Sequence, residues 1–475
     1  MKTYRLLAVA VAGLAAGCAS DNGGNKLLDT RCEALGLDYD GIRERPTAVE
    51  SALPVISGET TLLDAIHIAL GHNLQLRATF LKRDAAAGSI MEARSAAYPN
   101  VGLSGGVTSD LKDRGDNPDV YGVSWAITQP LWRAGAVSAA IRYAELYSAS
   151  TDEVVRQQVQ NVVSSVTEEF LGVLLAQQMV NVYDESVGVA ERMLETAEKK
   201  RKAGSASDYE VLRAEVEVAS TRAALIKEQN TLRSKVISLM QTMGVNQDSD
   251  ITLVGTLDYK PEEFEFAKLV NTAMVNRPDL LQAEAALRMA DESYRIAKSA
   301  NGPAADVFVN GKYQNPNPND SSLDEWSDDW SAGVQVSYTL FDGLERKGKL
   351  TQALAAKRQA EATLRNAEET ARVEIVQALL DLRNAEELYQ SQAKNIDLSR
   401  EALRMLENGH KVGKNTQIEV LDARSALTDA MGQYYSAIYS HQLARLAVRK
   451  AVGTLAADAA TRIDPENLEL AEPPL

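Results

Sequence analysis

Residues able to do chemistry are few and scattered. The two cysteines, Cys18 and Cys32, are too few for a disulfide framework or a thiolate metal site. The histidines do not cluster: His67 and His72 stand five apart, which separates them on a helix, and His410 and His441 are lone. A structural or solvent-facing imidazole accounts for each. Five acids, Asp320, Asp324, Glu325, Asp328 and Asp329, crowd one short stretch, but their spacing fits no calcium loop and reads as a solvated connection. No nucleophile elbow, phosphate loop or metal-ligand cluster is present. The expectation is a chain that is not an enzyme and needs no cofactor and no metal.

The formal charge of −16 and pI near 4.9 argue against a nucleic-acid partner, which requires a basic face. At 475 residues the chain could make several ordinary domains, yet Pro is scarce at 13 and aromatics are 5%. Alanine, glutamate, leucine, arginine and lysine dominate, a mixture that favours long helices.

The N-terminus carries an address. Lys2 and Arg5 precede an apolar run, Leu6 to Ala16, then Gly17 and Cys18, the pattern of a secretory signal over 1–17. The run is too short for a permanent membrane helix. The stretch LAAGC resembles a bacterial lipobox, whose cysteine becomes the acylated first residue, although Ala15 stands where the commonest form has leucine. The alternative is ordinary signal cleavage beside Cys18, leaving a free thiol. Under the sorting rule that goes with the lipobox, Ala19 rather than an aspartate after the cysteine points to the outer membrane. Residues 18–58 read as a tether and an equatorial segment, flexible from Asp21 to Asn25. Cys32 has no assigned role. No later segment offers about 20 apolar residues, so any membrane crossing falls to strands.

The chain is a duplication. Asn73-Leu74-Gln75-Leu76 matches Arg277-Pro278-Asp279-Leu280 at an offset of 204, and Ala93-Arg94-Ser95-Ala96 with Pro99 matches Ala297-Lys298-Ser299-Ala300 with Pro303 at the same offset. Leu131-Trp132 matches Leu340-Phe341 at 209, as Gly204, Glu210, Val211, Leu212 and Ala214 match Gly413, Glu419, Val420, Leu421 and Ala423. The repeats are assigned to 59–245 and 246–455, with a tail over 456–475. Each reads helix, strand pair, very long helix, turn, long helix. Strands are expected within 100–132 and 306–341, apolar on alternate residues with Tyr338 and Leu340 on that face, and polar loops at 110–119 and 314–329.

Long helices are expected over 134–202 and 343–408, returning over 208–243 and 416–452. Val159, Val166, Val173, Val180, Val187 and Leu194 recur every seven residues, interleaved with Val155, Val162, Ala176, Tyr183, Ala190 and Ala197. Ile375, Leu382, Tyr389, Ile396 and Leu403 repeat the seam in the second half. Either helix would reach roughly 100 Å and must pack beside others of its kind. Four strands cannot close a membrane barrel, since the smallest have about eight, so several chains must contribute.

On TLLDAIHIALGHNLQL, the Ala-Arg-Ser-Ala-Ala-Tyr-Pro stretch ending at Pro99, QPLW at 129–132, RPDLLQAEAALRMA from Arg277 and VGKNTQIEVLDARSAL from Val412, the sequence resembles the TolC-type outer-membrane efflux family over nearly the whole mature chain. The resemblance implies a mainly α fold with a small β part: a coiled-coil α-barrel of long helices continuous with a transmembrane β-barrel, formed by a homotrimer with four strands per chain and two structural repeats. It implies an exit duct of a tripartite efflux pump or type I secretion system, partnered by a periplasmic adaptor and an inner-membrane transporter. It places a periplasmic gate at Glu419 and Asp422, whose rings of like charge would attract cations and raise carboxylate pKa values, with Glu210 equivalent in the first half. His410 and Asn415 stand where some members have a tyrosine and an arginine, which argues against a salt-bridged lock and for a hydrogen-bonded closure. The turns at Gly204-Ser205 and Val412-Gly413-Lys414 resemble the tips that meet the adaptor. The competing reading is a periplasmic adaptor or coiled-coil structural lipoprotein, which would lack the whole-chain duplication.

Overall fold

The computed structural model describes residues 53–108, 120–315 and 325–455. The signal, Cys18, the tether up to 52, Cys32, the tail over 456–475 and the central parts of the two strand-connecting loops lie outside the described residues.

In chain order the elements are β1 (Ser57–Thr60), α1 (Leu62–His72), α2 (Leu74–Ser95), β2 (Asn100–Thr108), β3 (Val120–Trp132), α3 (Ala136–Lys202) and α4 (Asp208–Met243). The second half follows with β4 (Asp250–Leu253), α5 (Phe266–Asn276), α6 (Pro278–Ser299), β5 (Ala304–Asn315), β6 (Ser327–Ser337), α7 (Glu345–Lys411) and α8 (Gln417–Val452). The fold is mainly α with a small β part. Two compact units share it: one draws on 82–153 and 282–365, the other on the described parts of 35–81, 154–281 and 366–475.

The first unit holds an antiparallel sheet in the order β2-β3-β5-β6. Its register puts Val101, Leu103 and Val107 on one face with Tyr121, Val123, Trp125, Ile127, Val307, Val309, Trp330, Val334 and Val336. The other face carries Ser104, Ser124, Thr128, Asn310, Lys312, Asp329 and Gln335. Gly311 is fitted to this arrangement: a Cβ there would stand 2.4 Å from the Trp125 ring, which meets Trp330 edge-on at 4.8 Å. Neither β2 nor β6 has a partner on its outer edge among the described residues.

The last strand is shorter at its far end than expected. It stops at Ser337, paired with Ala304, so Tyr338 and Leu340 lie beyond the ladder. The residue that would continue the pairing on β5 is Pro303, which has no N–H to give. Asp342 then opens the next helix, its carboxylate accepting from the backbone N–H groups of Leu344 and Arg346. At the other end the pairing reaches further than expected, to Gln314 with Ser327, where Tyr313 stacks on Trp326 at 4.8 Å.

In the second unit much of each heptad seam is buried, while Val180, Tyr183, Leu194, Tyr389 and Ile396 are only half-buried. Val155, Val159, Val162, Val166, Val173, Ala176, Val187, Ala190 and Ala197 of α3 are all inaccessible, as are Ala371, Ile375, Ala378, Leu382, Ala385 and Leu403 of α7. Alanines recur in these contacts, where small side chains let helix axes approach. Ala378, Leu382 and Ala385 pack on Ala444 and Val448 of α8, and Ala197 packs on Val211 and Ala214 of α4.

The duplication has a physical signature here. Asn73 donates its side-chain amide to the Thr242 carbonyl at 2.9 Å, and Arg277, its counterpart, donates to the Ala451 carbonyl at 2.9 Å. Each satisfies an orphan carbonyl in the last turn of a returning helix. Each helix then ends on a left-handed glycine, Gly244 at φ +71° and Gly453 at φ +77°, packed against the backbone at His72 and Arg277 respectively. Arg277 further pairs with Asp279 and Glu374, both at 2.7 Å. Burial works against the charge of Asp279, but the guanidinium outweighs it and holds the carboxyl below its usual range.

A strap over 254–265 crosses α7 and α8. Glu262 binds Arg445 at 2.6 Å and Arg449 at 3.1 Å, and Tyr259 stacks on Tyr389 at 3.9 Å. Beneath Tyr259 lies His441, fully buried, its two ring nitrogens without hydrogen-bond partners. Burial, aided by Arg445, pushes this imidazole below its ordinary pKa despite Glu386 at 3.8 Å.

Two outcomes are expected. Arg277→Leu strands the Ala451 carbonyl and frees two carboxylates, costing about 2 kcal/mol in thermal or denaturant unfolding. For His441 the folded state prefers the neutral ring. Its stabilising contribution is therefore complete above the unfolded value near ~6.5 and is lost as pH falls through the lower folded value. Melting temperatures measured on the acid side should fall for the wild type more steeply than for His441→Leu; parallel profiles would refute this.

Candidate functional site

Every predicted gate and docking residue lies at two helical hairpin tips in the second unit. In the first, α3 reverses into α4: Gly204 N–H reaches the Arg201 carbonyl at 2.9 Å and Ser205 N–H the Lys200 carbonyl at 2.8 Å, with Gly204 at φ +73°. In the second, α7 reverses into α8: Gly413 N–H reaches the His410 carbonyl at 3.0 Å and Lys414 N–H the Gly409 carbonyl at 2.9 Å, with Gly413 at φ +74°. These are the same helix-terminating motif, in which a left-handed residue closes orphan carbonyls. Gly204, Ser205, Val412, Gly413 and the Lys414 side chain are exposed, and Val412 is an uncovered apolar group at 69% exposure.

The returning helices start alike and then diverge. Ser207 accepts from the Glu210 N–H at 3.3 Å, and Thr416 accepts from the Glu419 N–H at 3.3 Å. Only the second completes a capping box: the Glu419 carboxylate takes Thr416 N–H at 2.7 Å and the Thr416 hydroxyl at 3.1 Å. The Asn415 amide adds a third donor at 3.3 Å. Led by the Thr416 backbone N–H, these bonds hold Glu419 below the usual carboxylate range. Within one chain the local effect is thus opposite to the rise expected of a charge ring. Asp422, one turn on, is exposed, and Glu210 is half-buried.

His410 and Asn415 are brought together, the ring Nδ1 lying 3.0 Å from the Asn415 carbonyl. The ring Nε2 lies 3.5 Å from Nζ of Lys200, on the other hairpin. Lys199 pairs with Glu195, and Arg201 with Asp208 at 3.4 Å.

Sequence reasoning passed over Thr416 and Gly409, and read Lys200 only as one of a cluster of cations at the tip, without its contact to His410. Thr416 was legible as the first residue of Thr-x-x-Glu. Gly409 was not: a Cβ there would meet the Asn415 Oδ1 at 1.8 Å, a contact set by the fold of the turn. Among the described residues no group of His, Cys, Asp and Glu is placed to hold a metal ion.

The sequence matches the outer membrane efflux protein family over 65–245 and 269–454, one segment in each repeat, and the chain belongs to that family. Protein CyaE of Bordetella pertussis is 26% identical over 433 residues, covering 88% of this chain and 91% of that one. Outer membrane protein TolC of Vibrio cholerae is 24% identical over 426 residues, covering 86% and 95%. Among solved structures, CusC superposes with a TM-score of 0.72 at 19% identity, covering 86% of this chain and 95% of that one. The outer membrane protein VceC of Vibrio cholerae gives 0.68 at 20% identity, covering 82% and 96%. The fold is that of outer-membrane efflux channels, and the chain is a channel subunit of that class.

Alanine in place of a helical glycine ordinarily stabilises by about 1 kcal/mol. Gly409→Ala should instead drive the Asn415 amide off Glu419. Hydrogen-exchange mass spectrometry is expected to show faster exchange over 412–419 in that variant, with the body of α7 unchanged. Slower exchange at the tip would show that the Asn415 contact carries no weight.

Proposed function

We propose that three copies of this chain form the outer-membrane exit duct of a tripartite efflux or type I secretion assembly, passing substrates delivered by an inner-membrane transporter through a periplasmic adaptor. The observation that carries this reading is a four-stranded sheet with one apolar face, one polar face and two edges unpaired among the described residues. Joined edge to edge, three such sheets make a twelve-stranded barrel, apolar toward lipid and polar toward water. A second observation supports it. On α4 the stripe Leu212, Val216, Ala219, Ala223 and Ile226 faces away from the chain's own core, with Leu212 59%, Val216 62% and Ile226 52% exposed. That stripe has heptad spacing and fits a helix of a neighbouring copy.

In this assembly α3, α4, α7 and α8 of three chains line a helical tunnel. Cys18 is acylated and anchors the N-terminus in the outer membrane. The hairpin tips meet the adaptor, and Glu419 with Asp422 forms acidic rings that favour cations at the narrow end.

Single-channel conductance of the purified protein in planar bilayers tests the reading. The wild type should give narrow, cation-selective currents that widen or lose selectivity when Glu419→Ala and Asp422→Ala are combined. A protein that never forms a membrane-inserted oligomer would defeat it.

A further inference from the structure

In the first repeat, the start of α2, the middle of α3 and the end of α4 leave between them a cavity of about 870 Å³. Small-molecule sites fall in the range of roughly 300–1,000 Å³. Val162 and Val245, both buried, give the cavity an aliphatic floor. Its walls are carboxamides and a hydroxyl: Gln75 on α2, Gln158, Asn161 and Ser165 on α3, Gln241 on α4 and Gln247 just beyond it. Gln158 and Asn161 are half-buried. Among the described residues none of these side chains has a hydrogen-bond partner.

The second repeat is an internal control. Its equivalent cavity, about 450 Å³, is lined by Arg277, Asp279, Glu374 and Lys450, which correspond to Asn73, Gln75, Ser165 and Gln241. Arg277 holds both Asp279 and Glu374 at 2.7 Å, so these charges close on one another. In the first repeat all four positions are uncharged. Asn73 is spent on the Thr242 carbonyl, and the others stay open. The same place in the fold is sealed by ion pairs in one repeat and lined with unused amides in the other.

Each carboxamide offers two N–H donors and a carbonyl acceptor in one plane. A sugar hydroxyl both donates and accepts, an acetamido group does the same at fixed spacing, and the floor suits C–H faces and methyl groups. No Lys, Arg or His lines the cavity, and its one carboxylate, Asp248, is exposed. An anionic ligand would lose hydration there without compensation. No aromatic ring lines it either, so a flat base has nothing to stack on.

We propose that this cavity binds an uncharged glycan through its hydroxyl and acetamido groups. One chain forms the whole site, so binding is separable from conduction through the duct. In the proposed assembly these helices run through the periplasm, where such chemistry comes from two sources, the cell-wall polymer and soluble oligosaccharides.

The test is calorimetric titration of the full-length protein, held in lipid nanodiscs free of sugar detergents, with the soluble trisaccharide of N-acetylglucosamine. Gln158→Leu should weaken binding about tenfold, as expected for one lost hydrogen bond. Gln75→Asp combined with Gln241→Lys, which copies the second repeat at exposed positions, should abolish binding with the melting temperature unchanged. A trisaccharide of galacturonate should not bind. Co-sedimentation with purified cell-wall glycan separates the sources. Wild type retained on the polymer and released by the trisaccharide assigns the site to the wall, and binding of the trisaccharide alone assigns it to soluble glycans. The proposal is overturned by absence of binding to both probes, by a double variant that binds as well as wild type, or by a neutral peptide that binds more tightly than the sugar. Failure of the channel reading would look different, as absence of any membrane-inserted oligomer from a protein that still binds the sugar.

Discussion

A single chain of this protein has more apolar surface than it can cover. Each long helix carries a heptad seam that its own partners largely bury, but among the described residues α4 carries a second stripe left exposed, and the sheet has one face of valines and aromatics with no core beneath it. An ordinary domain resolves such surface by folding back on itself. Here a helix of 67 residues without an interior proline cannot do so. The remaining solutions are lateral: a helix beside a helix and a strand beside a strand, repeated until the wall closes. Length, heptad spacing, open strand edges among the described residues and a two-faced sheet all fit one constraint of the proposed assembly, that burial comes from identical neighbours.

That constraint puts unusual demands on the points where the chain reverses. A helix pair with no globular core must be terminated locally. The protein does it twice in the same way, with a left-handed glycine at each tip and another at the end of each returning helix. The side chains that complete these ends differ. Asn73 performs with a neutral amide the task that Arg277 performs with a charge shared among two carboxylates and a carbonyl. At the tips, Glu210 and Glu419 hold equivalent places, yet only Glu419 is bound into its own cap. A carboxylate held by three local donors keeps its charge over a wider pH range than a free one.

Much of this was legible in the sequence because it is periodic. Val159, Val166 and Val173 announce a seam wherever they occur, and alternate apolar residues in β2, β3, β5 and β6 announce a two-faced sheet. What was not legible depends on which residues meet across the fold. The end of β6 at Ser337 coincides with Pro303, just before the partner strand and 34 positions away. The contact between Lys200 and His410 spans 210 positions and follows from how two hairpins lie together. The contact of Asn415 with the space above Gly409 is likewise set by the fold of the turn. The candidate gate was thus visible as a set of residue types, and its wiring was not.

The divergence of the two repeats has a consequence for the proposed trimer. Six hairpins of common backbone would favour six-fold symmetry, and a gate built that way would have to move all of them together. Here alternate hairpins differ in chemistry: one kind ends in Lys199 to Lys202, the other in His410 and a capped Glu419 followed by Asp422. Contacts between unlike hairpins can be broken while those along each hairpin's own seam, Ala197 with Val211 and Ala214 for instance, remain intact. In the proposed trimer, duplication followed by divergence at the tips would thus separate a seam common to both hairpins from tips of different chemistry, without adding any element to the fold.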